Sequence, residues 1–218
     1  MATLLLRLAA PLQAWGIDSK FDTRKTGREP SKSGVIGLLA AALGYKRYET
    51  DKLASLNDLN FGVRTDREGK LLRDFHMVRS AKTAYVTTRY YLCDAVFLTG
   101  VFSEDEALMQ RLAEAVSHPA FPLFLGRRAC PPEGRVFLGL REEALEEALM
   151  HEPRLLSQQT MDPNKMTRMV VEDPAGPARL RDVPVSFSPF RREYRYRAAK
   201  EQWIGSQTTA HDPMRELR

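Results

Sequence analysis

The chain predicts an α+β fold: an antiparallel sheet with helices on one face, for which the split βαβ (ferredoxin-like or RRM-like) plan is one assembly. Three observations carry this expectation. Thr3 to Leu8 is a short, mostly apolar run that reads as a central strand. Val35, Ile36, Leu38, Leu39 and Leu43 leave no polar face, which describes a helix packed on most sides. The segments then follow in the order strand, helix, hairpin, strand, helix, strand.

Each element has its local reason. Pro11 ends the first strand, and Gln13-Ala14-Trp15-Gly16 opens a loop. That loop carries Arg24, Lys25, Arg28 and Lys32 among Gly27, Pro30, Ser31 and Ser33, so it is cationic and cannot bury itself. Ser31 or Ser33 caps the helix that follows, and Gly44 suits its stop. Gly37, Ala40 and Ala41 are small enough to let another backbone come close. The free amides of the helix start point back at the basic loop and favour an anion, phosphate being the common one. The alternative is an ordinary core helix after a solvated loop.

Thr50 to Leu56 reads as a brief polar helix, and Asn60–Thr65 with Lys70–Val78 as two strands of a hairpin joined through Asp66-Arg67-Glu68-Gly69. Arg79 to Arg89, with Lys82 and Tyr85 and no acid, is an exposed extension or the tip of a longer hairpin. Tyr90 to Phe102 is the next strand. Ser103 and Glu106 fit a capping box opening a helix to Val116. A strand at Val136–Leu140 and a short acidic helix at Glu142–Met150 follow. Lys165–Val171 reads as a strand, and Glu172–Asp182 as a Pro/Gly loop. Phe187 to Arg197 is a second basic cluster: Arg191, Arg192, Arg195 and Arg197 among Phe190, Tyr194 and Tyr196. Three regions result: residues 1–140 with an extension at about 76–91, a β-rich part at 141–204, and a polar tail at 205–218.

Composition narrows the function classes. With 33 Lys and Arg against 28 Asp and Glu, the formal charge of the 218 residues is +5. Acid is concentrated between Glu104 and Glu152, so the remaining segments are more basic than that average. Cys93 and Cys130 lack metal spacing and suit buried thiols in a reducing cytoplasm. Neither a signal peptide nor a membrane span is expected. The four histidines sit in separate contexts, and no phosphate-binding P-loop, dinucleotide fingerprint or nucleophile elbow is present. No metal or cofactor is therefore expected. One enzymatic reading survives, a metal-free ribonuclease using His76 with Lys82 and Tyr85. Binding has more support. Four separated segments, Trp15–Lys32, Arg79–Tyr91, Phe124–Arg128 and Phe190–Arg197, mix cations with aromatics, the chemistry that grips phosphates and stacks unpaired bases of single-stranded RNA.

The same residues carry a resemblance. Leu6 to Gly16 (Leu-Arg-Leu-Ala-Ala-Pro-Leu-Gln-Ala-Trp-Gly), Thr23-Arg24 with Thr26-Gly27-Arg28, and Ser33-Gly34-Val35-Ile36-Gly37-Leu38-Leu39 form the first blocks. Leu72-Arg73-Asp74-Phe75-His76, Tyr91-Leu92-Cys93-Asp94-Ala95 and Leu125-Gly126-Arg127-Arg128-Ala129-Cys130-Pro131 continue them in order. Together they resemble the CasD subunit family of Cascade, the type I-E CRISPR surveillance complex, within the RAMP superfamily. Ala10 departs, standing where that family has Gly before the Pro, which alters only the turn.

The resemblance implies an RRM-like domain with a protruding thumb, bound to the 5′ handle of a CRISPR RNA in the cytoplasm for antiviral defence. It implies two protein neighbours, the repeated backbone subunit and the large subunit that reads the protospacer-adjacent motif, with target DNA met only indirectly. A different subunit cuts the precursor in such complexes, so this one would be a non-catalytic cap; relatives in type I-C systems cleave the repeat RNA. Gln13, Trp15, Arg24, Lys25, Arg28, Lys32 and Ser33 would line the handle or its approach. Arg89, Phe124, Arg127 and Arg128 would lie near it, and Arg79, Lys82 and Tyr85 on the thumb. Arg191 and Arg192 of the second basic cluster complete the expected RNA-binding set.

Overall fold

A computed structural model describes residues 1–16, 22–79, 83–156, 166–188 and 192–205. In chain order these form β1 (Ala2–Ala9), β2 (Leu12–Gln13), β3 (Thr23–Arg24), α1 (Lys32–Ala42) and α2 (Thr50–Ala54), which runs into a 3₁₀ turn. There follow β4 (Asn60–Arg67), β5 (Lys70–Arg79), β6 (Ala84–Cys93), β7 (Val96–Ser103), α3 (Glu106–Ser117) and β8 (Phe137–Arg141). The last third contains α4 (Leu145–His151), β9 (Thr167–Glu172), β10 (Ala178–Phe187) and β11 (Arg192–Ile204).

The strands form two sheets. The larger is antiparallel, with seven strands in the order β10-β11-β9-β4-β7-β1-β8. The first strand is interior but lies next to the edge strand β8 rather than in the middle. Its near-continuous apolar run has a physical cause: both faces are covered. Leu4, Leu6 and Leu8 enter one core with residues of α1 and α3, whereas Leu5 and Ala9 enter a second core with Leu145, Ala148 and Leu149 of α4. The expectation of helices on one face is thus corrected: α4, with Leu155 and Leu156, closes the opposite face.

Helix α1 follows the sequence closely. Ser31 Oγ accepts from Gly34 N at 3.2 Å, and Gly44 ends the helix in the left-handed region at φ 77. Val35, Ile36, Leu38 and Leu39 are buried, each contributing about 1.5–3 kcal/mol of apolar burial.

Residues 60–78 are not a hairpin. β4 pairs with β7 and β9, while β5 joins the second sheet, pairing with β6 along its whole length from Lys70↔Cys93 to Arg79↔Ala84. Gly69 marks the change of sheet, because a side chain there would press to 2.9 Å on Ala95 and Leu92. Its ten-residue strands span about 33 Å each. The expected strand at Tyr90–Phe102 is divided at Asp94, which takes φ 58. The α3 cap is Asp105, whose side chain accepts from Leu108 N, and Ser103 instead accepts from Asp105 N.

Charged side chains lock the C-terminal strands onto this frame. Fully buried Arg64 pairs with Asp66 at 2.7 Å and donates to the carbonyls of Leu149 and Pro153, holding the end of α4. Asp182 on β10 accepts from Arg197 Nε on β11 at 2.7 Å, and Lys32 Nζ meets Glu172 at 2.8 Å. Arg168 bridges Glu29 and Glu201. Among the described residues no helix is long and apolar enough to cross a membrane.

Candidate nucleic-acid interface

The loop before α1 is held from beneath. Gln13 is buried; its Nε2 donates to the carbonyls of Leu8 at 3.2 Å and Ala95 at 2.8 Å, and its Oε1 accepts from Trp15 Nε1 at 3.1 Å. Trp15 is 1 % exposed and packs against Gly34, where an added Cβ would come within 2.8 Å of the indole. The Trp15 amide donates to Thr26 Oγ1 at 2.9 Å, and Ala14 N donates to the Leu125 carbonyl at 3.1 Å. These bonds bring the 124–128 segment alongside the start of α1.

The result is a groove of about 570 Å³ over α1. Its floor is Gly34, Gly37, Leu38, Ala40 and Ala41, and its walls include Tyr45, Phe121, Phe124, Phe187 and Tyr194. Lys46, Arg47, Arg128 and Arg192 supply four cations, and among the described residues no aspartate or glutamate lines it. The volume lies within the roughly 300–1,000 Å³ of small-ligand sites. Of the expected residues, Trp15, Ser33, Phe124, Arg128 and Arg192 meet here, although they lie up to 177 positions apart in the chain.

A second group gathers where β3 pairs with β6. Arg24 is exposed and in register with half-buried Arg89. Arg127 donates to the Arg24 carbonyl at 3.0 Å and sits 4.6 Å from the Tyr91 ring centroid. Lys25 and Arg28 are exposed on the neighbouring loop. Arg79 and Tyr85 are exposed at the far end of the β5–β6 hairpin, outside the groove. Lys82 and Arg191 lie outside the described residues.

Four expectations are corrected. Trp15, 1 % exposed with its Nε1 bonded to Gln13 and its ring on Gly34, braces the groove from beneath and offers no open face for a base to stack on. Gln13 cannot face a ligand, because its amide is spent on the buried bonds above. Lys32 is equally unavailable: its side chain is 3 % exposed and paired with Glu172. Ser33 is buried and its hydroxyl lies 3.3 Å from that of Ser31, so it contributes only to the groove wall. The anion expected at the α1 start is supplied by the chain itself. Lys32 N donates to Asp182 Oδ2 at 2.8 Å, while Gly34 N and Val35 N bond Ser31. A carboxylate 150 residues away occupies the place a phosphate would take.

Titratable groups add little catalytic potential. His76 Nε2 lies 2.5 Å from Asp74 Oδ2 on the hairpin, and Tyr85 is on the same face opposite Val78. Burial pushes the Cys93 and Cys130 thiols up, away from the reactive thiolate. Burial also raises Glu29, against the opposing attraction of Arg168. No group of three or more metal-ligating side chains occurs among the described residues.

A family model described as CRISPR-associated protein (Cas_Cas5) matches residues 3–200. The chain belongs to the Cas5 family. Within it, the chain is 40 % identical over 156 residues to the CRISPR system Cascade subunit CasD of Escherichia coli (strain K12), covering 62 % of this chain and 70 % of the relative. Two solved structures have the same fold. One, described as a Cas protein, is 38 % identical with a TM-score of 0.77 over 97 % of this chain and 99 % of its own. The other, a chain of a CRISPR RNA-guided surveillance complex, is 31 % identical with a TM-score of 0.81 over 99 % of this chain and 97 % of its own.

The sequence reading of this Cas5 chain missed Tyr45, Lys46, Arg47, Tyr48, Phe121 and Phe187, all of which line the groove. A signal existed for part of this set: Tyr-Lys-Arg-Tyr at 45–48 mixes the same residue types as the four segments singled out. Phe187 stood at the edge of the second basic cluster without being counted as a site residue, and Phe121 carried no such mark.

Proposed function

We propose that this chain is the non-catalytic subunit that caps the 5′ handle of a CRISPR RNA in a type I-E Cascade complex. In that role it fixes one end of the guide and the register of the subunits assembled on it; membership of a Cascade complex is supported by its likeness to a Cascade subunit and to a chain of an RNA-guided surveillance complex. The observation that carries this reading is the groove over α1, where four cations and seven aromatic side chains converge with no acid among the described lining residues. Guanidinium groups neutralise phosphates in a forked geometry, and aromatic faces hold unpaired bases without requiring a duplex. Arg24, Lys25, Arg28, Arg89 and Arg127 extend the positive path from the groove's edge to the base of the hairpin.

The strand order β4-β7-β1-β8, with α1 and α3 as the intervening helices, supports reading that part as RRM-like and the β5–β6 hairpin as its thumb. The hairpin is two-faced. Asp74, His76, Thr87 and Arg89 share one side with the exposed Leu72, Val78 and Tyr85, while Leu71, Phe75, Met77 and Val86 share the other with Arg73 and are all more than half exposed. Such an apolar side suits contact with protein neighbours, the backbone subunit and the large subunit. The complex works in the cytoplasm and meets target DNA through those neighbours.

The test is salt-dependent binding of handle RNA. Each phosphate contact to a single strand contributes about −0.7 to the slope of log affinity against log salt. The double substitution Arg128→Ala, Arg192→Ala should therefore flatten that slope by about 1.4 and weaken binding. Unchanged slope and affinity would remove the groove from the interface.

A further inference from the structure

Helix α1 carries two glycines on the groove side, and they differ in what surrounds them. Gly34 has a packing reason, because the Trp15 indole occupies the space where its side chain would be. Gly37 has none. Among the described residues, a Cβ built there finds a single atom within 4 Å, the Phe187 ring at 3.9 Å, an ordinary contact. Glycine in a helix interior is disfavoured relative to alanine, since it gives up more backbone freedom on folding and adds no side-chain contacts. The fold therefore leaves open space above Gly37 at some cost to α1, and that space belongs to the groove.

Its surroundings limit what it can hold. Phe187 closes one side, Tyr45 and Phe124 belong to the other walls, and Arg128 and Arg192 stand at the groove with no carboxylate among the described lining residues to oppose an anion. A flat apolar ring attached to a negative backbone satisfies all of these at once. We propose that the space above Gly37 is a pocket for one extruded nucleobase of the bound RNA, with Gly37 as its floor and Phe187 as its stacking wall. The pocket rests on the handle-binding reading and deepens it: the arginines hold the strand, and the Gly37 space selects one base position by shape.

The experiment uses the full chain in the assembled complex and single-stranded handle RNA, intact or with one abasic position at a time. Gly37→Leu fills the pocket, whereas Gly37→Ala adds only a methyl in open space. Wild type should lose affinity by about 5- to 150-fold at one abasic position, the span expected for one stacked base. Gly37→Leu should bind intact RNA that much more weakly, yet match wild type on the abasic RNA. Gly37→Ala should stay within a few-fold of wild type on intact RNA. Thermal unfolding of each variant is measured alongside; if Gly37→Leu is less stable than wild type, Phe187→Ala replaces it and should show the same loss and the same abasic equivalence. A folded Gly37→Leu that binds intact RNA like wild type overturns the pocket, as does an abasic scan with no sensitive position. If the double arginine substitution still weakens binding in that case, the grip on the handle stands without the base pocket. If neither affects binding, both fail.

Discussion

Removing the Asp182 carboxylate tests whether the chain's own anion at the start of α1 holds the C-terminal strands in place. This carboxylate receives three hydrogen bonds, from Lys32 N at 2.8 Å, Arg197 Nε at 2.7 Å and Arg197 Nη2 at 3.1 Å. It joins α1, β10 and β11, and both charged side chains are nearly shut off from water, at 10 % and 4 % exposure. Asp182→Ala leaves a buried guanidinium whose remaining support is the Phe61 ring, 4.9 Å away, and the field of Glu29. Breaking a buried pair from one side costs about 3–5 kcal/mol, mostly because of the charge left behind. In a chain of this size each kcal/mol moves Tm by about 2–4 °C, so a drop of roughly 6–20 °C is expected in a thermal melt. Asp182→Asn keeps an acceptor for Lys32 N and should fall between wild type and Asp182→Ala. Adding Arg197→Met to Asp182→Ala removes the stranded charge and should restore part of the loss. A Tm for Asp182→Ala within 2 °C of wild type, or no recovery in the double variant, would refute this account.

Two further outcomes follow from single positions. Burial raises the Glu29 carboxyl above its ordinary value of 4.5, so the native state holds this proton at a pH where the unfolded chain has released it. Stability therefore falls as pH rises from about 4.5 through the raised native value, and is level above it. Subtracting a Glu29→Gln denaturation series from wild type should reveal that falling segment; a flat difference would contradict it. Gly126→Ala should cost several kcal/mol, because the backbone is at φ 85 and an added Cβ would lie 1.7 Å from the Ala14 carbonyl oxygen. The check is chemical denaturation together with handle binding, and unchanged stability would mean that the 124–128 segment is not held as described.

The sequence exposes what is local and hides what is made by distant partners. Helix α1 was legible because its cap, its apolar stretch and its stop are contiguous. The paired strands β5 and β6 were half legible. Lys70–Val78 read as a strand and Arg79–Arg89 as an extension or hairpin tip, but the turn residues Asp66 to Gly69 suggested a hairpin between β4 and β5, and only the crowding of Gly69 against Leu92 and Ala95 shows why the chain changes sheets instead. Lys32 misled for a related reason: a lysine in a basic loop looks solvated until Glu172, 140 residues later, buries it. Asp182 was invisible as a helix cap, since nothing near it in sequence points to α1.

The covered sheet decides where an RNA grip can be. In an RRM-like plan the free face of the sheet carries aromatics that stack bases. Here that face is occupied: Leu5 of β1 and Leu98 of β7 pack under α4, and Gly62 and Gly100 let Leu145 and Leu149 approach so closely that a Cβ at either would come within 2.7 Å of a leucine methyl. Uncovering it would expose the second core and strand Arg64, whose partners include the Leu149 carbonyl. On the proposed reading, the surface left for an RNA strand is therefore the helical side and the loops that flank it. That is where the basic loop, the 124–128 segment and the start of β11 converge, and where the floor of α1 remains open at Gly37. The same packing that closes one surface to nucleic acid thus leaves the groove over α1 as the place where cations and rings act together.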